Sequence, residues 1–422
     1  ADIAELYKNL ELNEAEFLYR LLDPDTAADV LMELDEDDRL KLLESMPAEQ
    51  IAKQIDHLDT DDAVDLIQQL DEDDRDEILS HIDDVEQAGD IIDLLKYDED
   101  TAGGLMGTEM IVVNENWSMP ECIRQMRMQA EDMDEIYYVY VVDDDDKLKG
   151  TLPLKKMITH PSVSKIKHVM EPDPVCVKVD TPIDEVTLDF EKYDLVAMPV
   201  IDSIGRLLGR ITVDDVMDEV RESSERDYQL ASGISSDIDA DDSIFAQTKA
   251  RIPWLLIGIV SGILASLILG SFEAKLQAVT ALALFIPIIG GTGGNVGVQA
   301  SAIVVQSLAN GTLEVKEFSR QLGKEVLIGL LNATIMSAVM FVYNLIALPG
   351  EFAVTLSVAL SLFVVVMFAS ILGTVVPLTL EKLHINPALA TGPFIQISND
   401  LLGLIIYVWI SAYCLTAFGT PI

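Results

Sequence analysis

The chain has 422 residues, half of them apolar, and a formal net charge of −44. Such acidity excludes nucleic acid as a partner, because phosphates would be repelled, and it favours cations. Cys122, Cys176 and Cys414 are far apart and odd in number, which excludes a disulfide framework and suits a reducing compartment.

Charge is separated along the chain. Residues 1–250 carry 65 acids and 22 bases, whereas seven acids and six bases follow from Arg251 onward. This is the pattern of an acidic soluble part joined to a membrane part. A solvated surface explains most of the acids. The chain begins "ADIAELY" with no signal peptide and no methionine, so a trimmed start is expected.

Residues 1–100 read as an acidic helical domain. "LDPDTAADVLMEL", "LDEDDRLKLLESM", "LDTDDAVDLIQQL" and "LDEDDRDEILSHI" repeat one theme, a Leu-Asp start followed by a short amphipathic helix. The Asp residues sit where helix N-caps and first turns favour negative charge. Repeats of this kind stack into a small superhelical solenoid.

From residue 101 strand-like runs alternate with helical ones. "IYYVYVVDDDDKLKGTLPLKKMI" and "LVAMPVIDSIGRLLGRITVDDVMDEV" share one grammar of strand, acidic or glycine turn, strand and helix start. The tandem repeat, about 60 residues long, divides at about 108–166 and 167–227. It resembles a pair of CBS domains, an α/β module that often binds adenine nucleotides. The resemblance implies ATP as a ligand, with Asp214 at the ribose and Lys155 and Lys156 near the phosphates.

Residues 228–252 read as a linker and a connecting helix. Five apolar stretches follow, at about 253–272, 278–308, 325–347, 353–380 and 386–418, each long enough to span a bilayer. With residues 1–252 in the cytoplasm, Arg251, Lys316, Arg320, Lys324 and Lys382 fall inside and only Lys275 outside, which leaves the C-terminus outside.

The second stretch, "FIPIIGGTGGNVGVQASAIVVQSLANG", contains Pro287 and, between residues 290 and 297, five glycines. These predict broken backbone, which is tolerated at membrane depth where it is buried or lines a wet cavity. Asn295 and Gln299, four apart, share a helix face and are candidates either to line a pore or to bond neighbouring helices. The fifth stretch, "GPFIQISNDLLGLIIYVW", holds Asp400, the only aspartate after Arg251. A carboxylate at the bilayer centre costs about 3 kcal/mol on insertion scales. It must be protonated, hydrated or bound to a cation. Thr391, Ser398 and Asn399 fit a wet path beside it. Oxygen ligands without cysteine or histidine suit a hard ion such as Mg2+, which gives up water reluctantly. One carboxylate is a thin site for a divalent ion, and a twofold homodimer would bring two to one axis.

The whole chain resembles the MgtE family of magnesium channels. The match rests on the acidic N-terminal repeats, "AGGLMGTEMIVV", the CBS pair, "GGTGGNVGVQAS" and "NPALATGPFIQISND". The resemblance implies a homodimeric, Mg2+-selective channel of the bacterial inner membrane, with Asp400 as the pore aspartate. It also implies regulatory Mg2+ ions held by Asp215, Asp218 and Asp227, with Asp194 nearby and Asp59, Asp61 or Asp62 opposite. Alternatives are uptake of another divalent ion such as Co2+, or a membrane-anchored CBS sensor that transports nothing. No nucleophile–base pair, Walker loop or zinc-type spacing supports an enzyme.

Overall fold

Each Leu-Asp pair begins a helix. The computed structural model describes all residues except 1, 8–9, 131–132, 134–135, 162, 237, 239–241, 273–279, 314–317 and 419–422, so Lys275 and Lys316 lie outside the described residues. Eight short helices cover the N-terminal region: α1 (Ala4–Tyr7), α2 (Leu12–Tyr19), α3 (Pro24–Met32), α4 (Glu36–Glu44), α5 (Ala48–Ile55), α6 (Thr60–Gln68), α7 (Glu72–Leu79) and α8 (Val85–Leu94). Asp23, Asp35, Asp59 and Asp71 are the N-caps of α3, α4, α6 and α7. The apolar faces behind them bury Leu31, Leu43, Ile55, Ile67 and Ile91.

The CBS grammar folds as two small sheets. The first comprises β1 (Ile111–Asn114), β2 (Val139–Val142), β3 (Leu148–Thr151) and β4 (Glu171–Pro172), in that order, with β1 parallel to β2 and the rest antiparallel. Helices α9 (Met119–Gln129) and α10 (Leu154–Thr159) belong to this repeat. The second repeat has β5 (Val177–Lys178), β6 (Ala197–Ile201) and β7 (Leu207–Thr212), with helices α11 (Ile183–Tyr193) and α12 (Val213–Ser232). The same parallel-then-antiparallel pairing recurs. The first repeat closes its own core around Ile111, Val141 and Ile166. The second shares a core with the N-terminal helices, where Met198, Ile211 and Val216 join Ile91 and Leu94.

The chain divides into two compact units, Ala1–Val220 and Arg221–Ile422, and the division falls within α12. Residues 228–252 are shared between the end of α12 and the start of the next helix. The second unit contains five helices long and apolar enough to cross a membrane. They are α13 (Ile244–Ser271), α14 (Ile286–Ala309), α15 (Phe318–Ala347), α16 (Phe352–Lys382) and α17 (Gly392–Phe418). Short 3-10 turns, Thr280–Phe285 and Pro387–Ala390, precede α14 and α17. α16 is the central helix, with Val358, Val366, Ala369 and Gly373 buried.

One expectation is corrected. Residues 286–309 form a continuous helix rather than a broken one. Pro287 sits in the first turn, where a missing N–H removes no helical bond. The glycines serve packing instead. A side chain at Gly293 would come within 2.7 Å of Val365 on α16, and one at Gly297 would overlap the Asn399 amide of α17.

Candidate functional site

Two groups of polar residues stand out, one in each unit. The first forms around the start of α6. Asp59 is the N-cap by position, yet its side chain makes no capping hydrogen bond. Glu109, from the segment entering the first CBS repeat, takes that role. Its carboxylate accepts from the Thr60 backbone N–H at 2.9 Å and from the Thr60 hydroxyl at 3.2 Å. Thr60 in turn accepts from the Thr108 N–H at 2.9 Å. Oxygens of Asp59, Asp61 and Glu109 all lie within 4.8 Å of one another, the spacing of a divalent-ion cage. Gly107 has no side chain because the Asp61 and Glu109 carboxylates crowd to 2.9 Å of where a Cβ would lie.

Asp215 closes the cluster from the first turn of α12. Its carboxylate accepts from the Thr212 N–H at 3.0 Å and from the Thr212 hydroxyl. Burial, then the neighbouring charge of Asp215, raises the Asp61 carboxyl well above its ordinary range. Burial, with Asp215 and Asp59 nearby, raises Asp62 to about 7. Burial raises Glu109 and Asp215 as well. Such carboxylates cannot all ionise side by side without a cation. Arg210 supplies part of that charge. Its guanidinium lies 3.6 Å from Asp59, donates to the Glu109 carbonyl and stacks 5.4 Å from the Tyr137 ring.

The structure thus brings together Asp59, Asp61, Asp62 and Asp215. Asp218 is exposed on α12. Asp194 is exposed and left-handed, with φ 50°, at the end of α11. Asp227 belongs to the second unit, where it accepts a 2.8 Å hydrogen bond from Asn386. In the CBS pair Lys156 is paired with Glu171 at 3.1 Å, while Lys155 and Asp214 are exposed. Glu109 escaped the sequence reading because it stands 49 residues from Thr60; only its place in "GTEM", an acid just ahead of an apolar strand, marked it.

The second group lies between α14 and α17. Asp400 is half-buried, and its Oδ1 sits 3.4 Å from where a Cβ on Gly290 would lie. Gln396, one turn earlier on the same helix face as Asp400, lies against Gly294. Asn399 is 1% exposed and packs on Gly297, and neither of its amide atoms has a hydrogen-bond partner among the described residues. Glycines at 290, 294 and 297 therefore admit three polar side chains of α17. Thr391 is buried, its hydroxyl donated to the Ala388 carbonyl at 2.7 Å. Gly291, Asn295 and Gln299 form the other face of α14, exposed in a single chain. A carboxylate flanked by amides at membrane depth can hold a hydrated cation.

A CBS pair fused to five apolar helices, with a carboxylate cluster in the first part and a half-buried carboxylate on a membrane helix in the second, defines a multi-pass membrane protein of the cation-transporting kind. The chain belongs to the MgtE family. The family described as "Divalent cation transporter" matches residues 286–410, the "MgtE intracellular N domain" matches 1–100, and the CBS domain matches 102–162 and 166–222. The chain is 35% identical to "Magnesium transporter MgtE" of Thermus thermophilus over 77% of its own length and 72% of that protein's. It is 31% identical to the protein of the same name from Enterococcus faecalis, over 79% and 73%. Among solved structures it is similar to the "cytosolic domain of the Mg2+ channel MgtE in complex with ATP", at 32% identity and a TM-score of 0.49, covering 52% of this chain and 89% of that one.

Proposed function

We propose that this protein takes up Mg2+ through a path lined by Asp400, and that cytoplasmic Mg2+ closes the path by binding at the acidic cluster around Asp61. The observation that carries the transport reading is Asp400, a half-buried carboxylate on one membrane-spanning helix, set against a glycine face of another. An ion held through its own water needs oxygen acceptors, and this site offers a carboxylate with amides beside it. The path is shared between two copies of the chain. In support, Asn295 and Gln299 are polar and exposed on a membrane helix, and a second copy would shield them from lipid. The host is the bacterial inner membrane, with residues 1–252 in the cytoplasm and the C-terminus outside.

The gating reading rests on repulsion. Asp59, Asp61, Asp62, Glu109 and Asp215 meet where the N-terminal helices face the CBS pair. Divalent ions favour this arrangement by their preference for it, and several linked ions give a steep response. ATP in the CBS cleft, near Asp214, belongs to the same reading as a second effector.

The test is Mg2+ uptake by proteoliposomes containing the full chain, at low and at millimolar Mg2+ on the cytoplasmic side. Uptake at low Mg2+ that falls as Mg2+ rises supports the reading. Uptake indifferent to cytoplasmic Mg2+ overturns the gating half. No uptake of Mg2+ at either concentration, with Co2+ carried instead, overturns the choice of ion.

A further inference from the structure

Gln396 is a side-chain amide placed between α14 and the neighbourhood of the Asp400 carboxylate. It stands four residues before Asp400 on α17, so the two side chains share a face. All three amide atoms lie within 3.1 Å of the point where a Cβ on Gly294 would be: Nε2 at 2.7 Å, Cδ at 2.9 Å and Oε1 at 3.1 Å. The amide is therefore laid across the backbone of α14, in a space that only glycine leaves open. The i, i+4 spacing puts the amide and the Asp400 carboxylate within side-chain reach of each other. A carboxylate accepts only, so a bond between the two uses the amide N–H and leaves Oε1 to accept from water.

We propose that Gln396 is a specificity-determining residue of the ion path, fixing the Asp400 carboxylate and presenting its own carbonyl oxygen to the water shell of the passing ion. This rests on the reading of Asp400 as the ion site. Two kinds of oxygen, one charged and one neutral, then face the hydrated ion one helical turn apart. Such a pair matches an ion that keeps its water, and Mg2+ keeps it more firmly than larger or softer divalent ions. A carboxylate free to rotate would instead reach for direct coordination, which favours ions that shed water readily.

The test compares wild type, Gln396→Leu and Asp400→Asn in proteoliposomes, with Mg2+ and Co2+ as the probes. In Q396L the half-saturating Mg2+ concentration is expected to rise about tenfold, as for one lost hydrogen bond to a charged group. Maximal Mg2+ flux should stay close to wild type, and Co2+ should compete better. A purely structural role would lower maximal flux and leave selectivity alone. Q396L with wild-type half-saturation and selectivity, beside a silent D400N, overturns the role of Gln396 and leaves the path standing. D400N conducting like wild type overturns the path itself. Should Q396L fail to insert, Gln396→Met carries the same test, since it keeps the length of the side chain and loses the N–H donor. Unchanged selectivity in that variant overturns the proposal equally.

Discussion

The Asp227 carboxylate accepts a 2.8 Å hydrogen bond from the side-chain amide of Asn386. The Asn386 carbonyl oxygen meanwhile caps the following turn, accepting from the Ala388 N–H at 2.8 Å. One residue thus ties the end of α12 to the turn that starts α17. The chain after α12 continues the contact. The Ala231 carbonyl presses on Gly392, and Gly233, at φ 81°, fits against Pro393. This relationship suits a mechanical link better than a metal ligand. Asp227→Ala and Asn386→Ala should therefore shift the Mg2+ concentration that halves uptake in the same direction and to a similar degree. The double variant should be no worse than either single one, the mark of a shared interaction. An effect of Asp227→Ala without any effect of Asn386→Ala would return Asp227 to the metal ligands.

Glu109 gives the most direct test of the acidic cluster. Glu109→Gln keeps an oxygen able to accept from the Thr60 N–H and removes the charge. Fold and low-Mg2+ uptake should survive, while more Mg2+ should be needed for closure. Asp215→Asn combined with Asp218→Asn should act the same way. Unchanged inhibition by Mg2+ would remove these residues from the sensor.

The cluster also sets a pH dependence. Asp62 is raised from 3.8 to about 7 in the folded protein, with burial the main cause. A raised carboxyl disfavours folding only when it must ionise. The penalty is absent below the unfolded value and complete above the folded one. Without divalent ions, the Ala1–Val220 unit should lose stability as pH rises from about 4 to about 7. Millimolar Mg2+ should flatten that slope. Limited proteolysis of the full chain across this range, with and without Mg2+, reads it out. Protection independent of pH in the absence of Mg2+ would contradict the assignment.

A second membrane-helix acid has a structural role. Glu325 of α15 is 7% exposed and accepts from the Ser370 hydroxyl of α16, which approaches over Gly329. Glu325→Ala should cost about 1–3 kcal/mol, the effect of stranding a buried partner. Glu325→Gln keeps an acceptor and should melt close to wild type. Thermal unfolding in detergent measures both.

What the sequence made legible was local. Asp23, Asp35, Asp59 and Asp71 could be placed as N-caps because capping needs only the next few residues. The strand–turn–strand grammar of the CBS repeats and the five apolar stretches were legible for the same reason. Contacts made across the fold were not. Nothing in the order of residues shows that Glu109 caps α6 in place of Asp59, or that Gln396 lies across Gly294. The glycines of α14 illustrate the ambiguity. Read along the chain they suggest a break, but in three dimensions they clear space on a continuous helix for Asp400, Gln396 and Asn399.

The central claim is that the half-buried Asp400 carboxylate is the ion site. Mg2+ uptake into proteoliposomes, wild type against Asp400→Asn, tests it most directly. The amide keeps the size of the side chain and removes its charge. The account expects a correctly inserted variant with uptake lost or severely reduced at low cytoplasmic Mg2+, where wild type conducts. An Asp400→Asn protein that conducts like wild type would make Asp400 a structural acid and contradict the account.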